Sequence, residues 1–310
     1  MKTYLLAIAW NWEFDEDFVK GIERACAARG ISTYRIEAQI LKETLHELRA
    51  GNLSFQSFYD RASDTDDAFL PIVKEMKARS VRCINPHSLV EHAADKASMH
   101  LEFITHGLHV PYTIIISPYN KKKEIEFTLS ELERLGRPFI IKPANTTGGG
   151  IGVVLGAETL RDVIESRQHH KNDKYLLQEK IEPKNLDGRR AWFRVLYAFG
   201  KIIPCWWDDL THIYSELTPD QEEQFNLSAL RSEMQKIHEV CRLDFFSSEI
   251  AMTVEDKMIV VDYVNEICDM RLQSKYFNGV PDGIVHEIEQ LIAQDVEQYL
   301  HQEQLAHHAT

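Results

Sequence analysis

Lys142 stands at the end of a short apolar run, Phe139-Ile140-Ile141, and Pro143 breaks the run behind it. A small-residue loop follows, comprising Thr146, Thr147, Gly148, Gly149, Gly150, Ile151 and Gly152, and a second apolar run opens at Ile151. The pattern predicts strand, loop, strand: a hairpin whose tip carries almost no side chains. Such a tip can lay backbone N–H groups against phosphate oxygens, because no Cβ holds the ligand away. A lysine beside it adds a compact positive charge. Together these residues predict a nucleotide phosphate site. The order of residues excludes two common glycine motifs. In a P-loop the lysine follows the glycines and a helix comes next; here the lysine leads and a strand follows. Nor does the segment read G-x-G-x-x-G at a helix start. A glycine-rich tip can also be a plain turn, so this segment gains weight only from others.

Two acid-bearing segments supply the second chemistry. Glu249 lies in S-S-E-I-A-M, and Asp262, Asn265, Glu266 and Asp269 lie in V-V-D-Y-V-N-E-I-C-D-M-R. The runs 249–253 and 258–263 predict a hairpin across Glu255-Asp256-Lys257, with Glu249 beside Asp262 and Asn265 following. Two carboxylates and an amide oxygen suit Mg2+, a hard ion that takes oxygen ligands and keeps waters and substrate phosphates. Acids at strand ends are commonly only solvated. Asp262 differs, because it follows M-I-V-V directly and is expected to be buried, and a buried acid needs a partner. Less specific are Asp95-Lys96 in a helical stretch and Gln178-Glu179 in L-L-Q-E-K-I, where strand-end groups can read an adenine edge. Trp206, Trp207, Asp208 and Asp209 can line a pocket or simply pack a hairpin end. Asn11, Trp12 and Glu13 end the first strand, the place where open α/β sheets bind ligands.

Holding these residues takes several lobes. The 310 residues exceed the length at which one core usually divides, about 250–300 residues. Hydrophobic content of 44% and charged content of 27% fit a soluble globular protein, and no apolar stretch approaches a membrane span. The opening M-K-T-Y-L-L-A-I-A-W passes into N-W-E-F-D-E-D without a small-residue cleavage site, so it is expected to be a buried first strand and not a leader. A net charge of −13 argues against a nucleic-acid partner but allows a local cationic pocket. The five dispersed cysteines lack C-x-x-C spacing and point to a reducing, cytoplasmic setting with neither zinc site nor disulfide frame.

Periodicity predicts strands at 3–10, 31–36 and 81–85, with helices at 15–29 and 68–79, hence a small parallel sheet. The polar stretch 59–67 reads as a loop at that sheet's edge. Further along come helices at 88–107, 123–135, 158–166, 228–241 and 283–300, strands at 113–116 and 175–181, and a hairpin of 194–199 and 201–207 across Gly200. Internal repeats and low-complexity tracts are absent.

Read in order, A-A-D-K, P-Y-T, I-I-K-P with its glycine loop, L-L-Q-E-K-I, W-F-R-V-L with A-F-G-K-I, F-F-S-S-E-I-A and V-V-D-Y-V-N resemble the ATP-grasp superfamily over about two thirds of the chain. The resemblance implies an α/β protein. Residues 1–90 would form a Rossmann-like pre-ATP-grasp domain and 91–305 a two-lobed, α+β ATP-grasp domain. That domain would divide into a lid subdomain, 91–177, and a catalytic subdomain, 178–305, with 306–310 a disordered tail. It further implies ATP and Mg2+ as cofactors, with Mn2+ an allowed substitute. Lys96 and Lys142 would hold the α- and β-phosphates, and Thr146–Gly152 would fold over the triphosphate. Gln178, Glu179, Lys180 and Ile181 would form the adenine hinge, and Glu182 or Asp187 would meet the ribose. Arg194, with Lys142, would face the reacting phosphate. Glu249, Asp262 and Asn265 would bind magnesium. Asp269 and Arg271 would meet substrate, with Trp206 and Asn11 as further candidates. One departure stands out. The superfamily's last motif usually sets an acid and an asparagine two apart, whereas Asp262 and Asn265 are three apart. Either the strand bulges or Glu266 replaces Asn265.

Most such proteins join a carboxylate to an amine through an acyl phosphate, with small-molecule substrates and neither nucleic acid nor membrane as partner. A homodimer is compatible with the resemblance. A small-molecule kinase on the same fold, or a nucleotide-binding protein without catalysis, are the alternatives.

Overall fold

The computed structural model describes residues 1–145 and 152–308. Strands β1 (Lys2–Trp10), β2 (Thr33–Ile36), β3 (Leu53–Arg61) and β4 (Arg82–Ile84) form a parallel sheet in the order β2-β1-β3-β4. Helices α1 (Glu16–Ala27), α2 (Leu41–Arg49) and α3 (Leu70–Ala78) connect them. Alternation on β1 feeds two cores: Leu6 and Ile8 pack with Phe18, Val19 and Ile22 of α1, while Ala7 and Ala9 pack with Leu41 and Leu48 of α2 and Ile72 and Met76 of α3. A strand covered on both faces must be apolar throughout, which is why Leu6–Ala9 read as one run.

The 59–67 stretch departs from expectation. Tyr59, Asp60 and Arg61 belong to β3, an interior strand paired to both β1 and β4. Its polar residues are accommodated because Arg61 meets Asp15 in a buried ion pair. The predicted helix 88–107 is two helices, α4 (His87–Ala94) and α5 (Lys96–Thr105). Asp95 separates them; its carboxylate accepts the Ala97 and Ser98 N–H groups and caps α5.

The second sheet is antiparallel, ordered β5-β8-β6-β7, from β5 (Thr113–Ile116), β6 (Phe139–Pro143), β7 (Val154–Ala157) and β8 (Tyr175–Glu179). Helices α6 (Leu129–Leu135) and α7 (Leu160–Ser166) close its apolar face through Leu135 and Val163. Helix α6 starts later than the 123 expected, at a capping box formed by Thr128 and Glu131.

After a two-strand ribbon of β9 (Asn185–Leu186) and β10 (Arg189–Arg190) comes the third sheet, order β13-β12-β11-β14-β15. Its strands are β11 (Trp192–Ala198), β12 (Lys201–Trp207), β13 (Tyr214–Glu216), β14 (Phe245–Met252) and β15 (Met258–Asn265). The β11–β12 turn is Phe199-Gly200, both with positive φ (50° and 90°), the conformation a two-residue hairpin demands. Helices α8 (Pro219–Gln224) and α9 (Ala229–Cys241) follow β13, and α9 covers one face of the sheet. The other face packs against α1 and the last helix, α10 (Asp282–His308). Helix α10 runs eight residues past the expected Leu300 and takes in 306–308 of the expected tail; 309–310 lie outside the described residues. Among the described residues no helix is long and apolar enough to cross a membrane.

Candidate nucleotide and metal site

Three elements deliver one charge cluster. Lys142 ends the apolar part of β6, Lys96 opens α5 directly after its Asp95 cap, and Asp262 sits on β15. Both lysine Nζ atoms stand 3.7 Å from Asp262 Oδ1, one from each side. Each lysine is 6% exposed, although a helix-borne lysine is ordinarily solvated. Lys142 Nζ also donates to the Val261 carbonyl at 3.1 Å and lies 5.1 Å from the Tyr263 ring centroid. Burial, with Lys96 nearby, brings the Lys142 ammonium down to about 8, against the pull of Asp262. Burial would push Asp262 up, but Lys96, Lys142 and Arg194 outweigh it and hold the carboxyl below its ordinary range.

The strand register brings in the next residues. Glu249 pairs with Asp262, and Arg194 of β11 pairs with Glu249. Arg194 Nη2 donates to Glu249 Oε1 at 2.6 Å, and the Trp192 indole donates to Oε2 at 3.2 Å. Burial raises the Glu249 carboxyl, and Asp262 alongside adds to this against the pull of Arg194. Arg194 Nε is buried with no hydrogen-bond partner among the described residues. An unmade bond to a charged group is costly, and a further acceptor would satisfy it.

The spacing of Asp262 and Asn265 is resolved by a bulge. Ser247 pairs with Asn265 and Glu249 with Asp262, so two steps on β14 face three on β15. The extra residue restores Asn265 to the side of Asp262. Tyr263 and Val264 both enter the core instead of alternating. Glu266 follows on the loop; burial raises its carboxyl, with Lys96 opposing and Asp64 and Asp262 adding to the rise. Among the described residues no group of three or more His, Cys, Asp or Glu side chains is arranged to hold a metal. Glu249, Asp262 and Asn265 present two carboxylates and an amide on neighbouring strand positions, a set that can suit an ion keeping waters and phosphate oxygens.

The remaining expected residues divide. Thr146, Thr147, Gly148, Gly149, Gly150 and Ile151 lie outside the described residues. Gly152 is described, at φ +79°, on the return of the β6–β7 hairpin. Gln178 is 1% exposed, and its amide donates to Tyr263 Oη and Thr113 Oγ1 at 2.7 and 3.0 Å, so its side chain sits in the core and not at an open edge. Glu179 Oε1 accepts from the Tyr112 N–H at 2.6 Å. Lys180 pairs with Glu182 at 2.8 Å, just after β8, while Ile181 packs against the core. Asp187 turns the β9–β10 ribbon and accepts from Gln224 at 3.1 Å. Trp206 packs inward with Phe193 and Phe225. Its neighbour Trp207, on the opposite strand face, lies 4.9 Å from the Arg194 guanidinium. Strand alternation alone could have chosen Trp207 once Arg194 was paired across the hairpin.

Asp269 holds Arg271 through Nε and Nη2 at 2.6–3.0 Å. Arg271 lies 5.6 Å from the Trp12 ring and 5.4 Å from the Tyr276 ring. Asn11 reaches Asp66 at 3.5 Å. The first sheet thus meets the 268–276 loop beside the third sheet, an apposition that no sequence spacing indicates.

No family model matches the chain, and no curated protein matches it. Solved structures do. An ATP-grasp RimK domain protein from Sphaerobacter thermophilus aligns with a TM-score of 0.63 and 17% identity, over 93% of this chain and 98% of that one. D-alanine–D-alanine ligase from Bacillus anthracis, complexed with ATP, aligns with a TM-score of 0.63 and 12% identity, over 96% and 99%. PsnB, an ATP-grasp ligase complexed with a minimal precursor, Mg and ADP, aligns with a TM-score of 0.59 and 13% identity, over 95% and 97%. The fold is the ATP-grasp fold.

Proposed function

We propose that this chain, which has the ATP-grasp fold, is a Mg-ATP-dependent ligase joining a carboxylate to an amine through an acyl phosphate. The observation that carries this is the convergence of Lys96, Lys142 and Arg194 on Asp262 and Glu249 from three separate elements. Three cations gathered in a mostly buried cluster, with the Asp262 carboxylate still partly exposed, suit a polyanion that arrives with its metal ion. At an effective dielectric near 20, a unit-charge contact at 4 Å amounts to about 4 kcal/mol. The solved structures it resembles include a ligase complexed with ATP and another complexed with Mg and ADP.

In this reading Lys96 and Lys142 hold the phosphates, and the 146–152 segment covers them and excludes water. Glu249, Asp262 and Asn265 hold Mg2+, which neutralises phosphate charge when bound; Mn2+, with the same charge and oxygen preference, would substitute. Arg194, through its unpaired Nε side, faces the phosphoryl group or the acyl phosphate. The backbone at Lys180 and Ile181 meets adenine, and Glu182 or Asp187 meets ribose. Asp269, Arg271 and Asn11, with Trp12, form the substrate side. The division at residues 90 and 177 into a preceding α/β domain, a lid and a catalytic lobe, and a cytoplasmic setting, belong to the same proposal. Amino acids and other small carboxylates are the substrates to screen.

A melting curve with saturating Mg-ATP tests the first half: ligand at a hundredfold excess over Kd adds about 2.7 kcal/mol, and an unmoved curve removes the reading. A screen for ADP release tests the second. Phosphate that appears only when an amine is added marks ligation; a stable phosphorylated product would mark a kinase instead.

A further inference from the structure

Beneath Lys142 lies a largely buried polar chain that ends at the partly exposed Thr113. His100 Nδ1 stands 2.6 Å from Tyr263 Oη, which also accepts from Gln178 Nε2 at 2.7 Å, and the same amide donates to Thr113 Oγ1 at 3.0 Å. Tyr263, Gln178 and His100 are at most 5% exposed. Burial, aided by Lys142, lowers the His100 imidazole to about 4, so it is neutral at pH 7 and can accept the tyrosine proton. Tyr263 Oη then donates once and accepts once, and Gln178 spends both amide hydrogens. The bonded groups come from four separate elements: α5, β5, β8 and β15.

The effect of this network falls on the ring. A tyrosine held only by packing can shift; one whose hydroxyl is pinned from two sides is fixed in plane and position. Phe103 meets it edge-on at 5.3 Å, completing the clamp. The ring presents itself to Lys142 Nζ at 5.1 Å. Lysine carries a flexible four-carbon stem, and a fixed aromatic surface attracts its cation and narrows the places the ammonium can occupy.

We propose that Tyr263 and Gln178 are positioning residues for the phosphate-binding Lys142, with Gln178 acting through the Tyr263 ring and not by reading adenine. This rests on the nucleotide-binding reading above. It refines the site: Gln178 borders the adenine side in sequence, yet its side chain serves the phosphate side. Strand alternation turns Tyr263 into the core opposite Asp262, and the β15 bulge keeps Asn265 on the side of Asp262.

The test compares two ligands. The displacement of a fluorescent ATP analogue by ATP and by adenosine, both with Mg2+, is measured for the wild type, Tyr263→Phe and Gln178→Leu. Melting temperatures are recorded alongside. Both variants should weaken ATP five- to tenfold while adenosine changes less than twofold. A role confined to general stability would shift both ligands together, or neither. Equal losses for Gln178→Leu would mean that Gln178 reads the base, and unchanged ATP binding by Tyr263→Phe would mean that the pinned ring does not place Lys142. Either result overturns the proposal. Should Tyr263→Phe fail to fold, Gln178→Leu carries the same comparison. A wild type that binds no ATP fails the parent reading instead, and the proposal falls with it.

Discussion

Asp15 and Arg61, where the first sheet meets the 268–271 loop, are joined by two parallel bonds of 2.7 and 2.8 Å, and both side chains are 1% exposed. Arg61 also donates to Tyr59 Oη at 3.2 Å and to the Cys268 carbonyl at 2.9 Å. Lys96, Lys142 and Asp262 are buried charges too, but at 3.7 Å on each side, and the carboxylate stays 31% exposed. The first cluster is closed: cation and anion match one to one. The second is looser and more open: its carboxylate reaches solvent, Glu266 lies near Lys96, and Arg194 Nε has no hydrogen-bond partner among the described residues. Burial alone therefore does not mark a site. What distinguishes the second cluster is that charged groups from separate elements converge on a carboxylate that solvent still reaches.

Stability should separate the two clusters most sharply. Arg61→Leu strands Asp15 in the core and should cost about 3–5 kcal/mol, as loss of one partner of a buried pair does. Chemical denaturation measures this. In the open cluster, Lys142→Met should leave stability unchanged or slightly higher below pH 8, since burial already disfavours its charge. Should Lys142→Met cost as much as Arg61→Leu, the distinction collapses.

The next effect comes from His100. Its folded value of about 4 lies below the ordinary 6.5, so the unfolded chain takes up a proton first as pH falls. The stability it protects is complete above 6.5 and is lost between 6.5 and 4, about 3 kcal/mol in all at 1.36 kcal/mol per unit. Denaturation midpoints across that window should fall steeply for the wild type and less for His100→Gln. Parallel curves would show that His100 does not stay neutral in the fold.

Nucleotide affinity is the third contrast. Lys142→Met should weaken ATP about tenfold, near 1.4 kcal/mol. In the wild type, affinity should decline above pH 8, where free Lys142 gives up its proton and a phosphate must restore it. Calorimetry in buffers of different ionisation enthalpy detects that proton, and its absence at pH 8.5 would relieve Lys142 of the role.

The smallest effect concerns the bulge. Asn265→Ala should raise the Mg2+ concentration needed for ATP binding several-fold, and Glu266→Ala should not. The reverse pattern would move the third ligand to Glu266.

Much of this was legible in the chain itself. Lys142 behind an apolar run, Glu249 opposite Asp262, and the β-α-β order of the first third all follow from periodicity and turn chemistry, which act over neighbouring residues. Sequence spacing also exposed the 262–265 irregularity, though it could not choose between a bulge and a different ligand. The 59–61 stretch misled because its polar residues read as surface, whereas Arg61 finds Asp15 at a separation of 46 residues. Gln178 looked open at a strand end for the same reason: its partners Thr113 and Tyr263 are 65 and 85 residues away. Local pattern determined which elements form and which carry charge. Tertiary structure alone decided which charges are completed within the protein and which remain open, because that depends on partners brought from distant segments, and no local spacing records them.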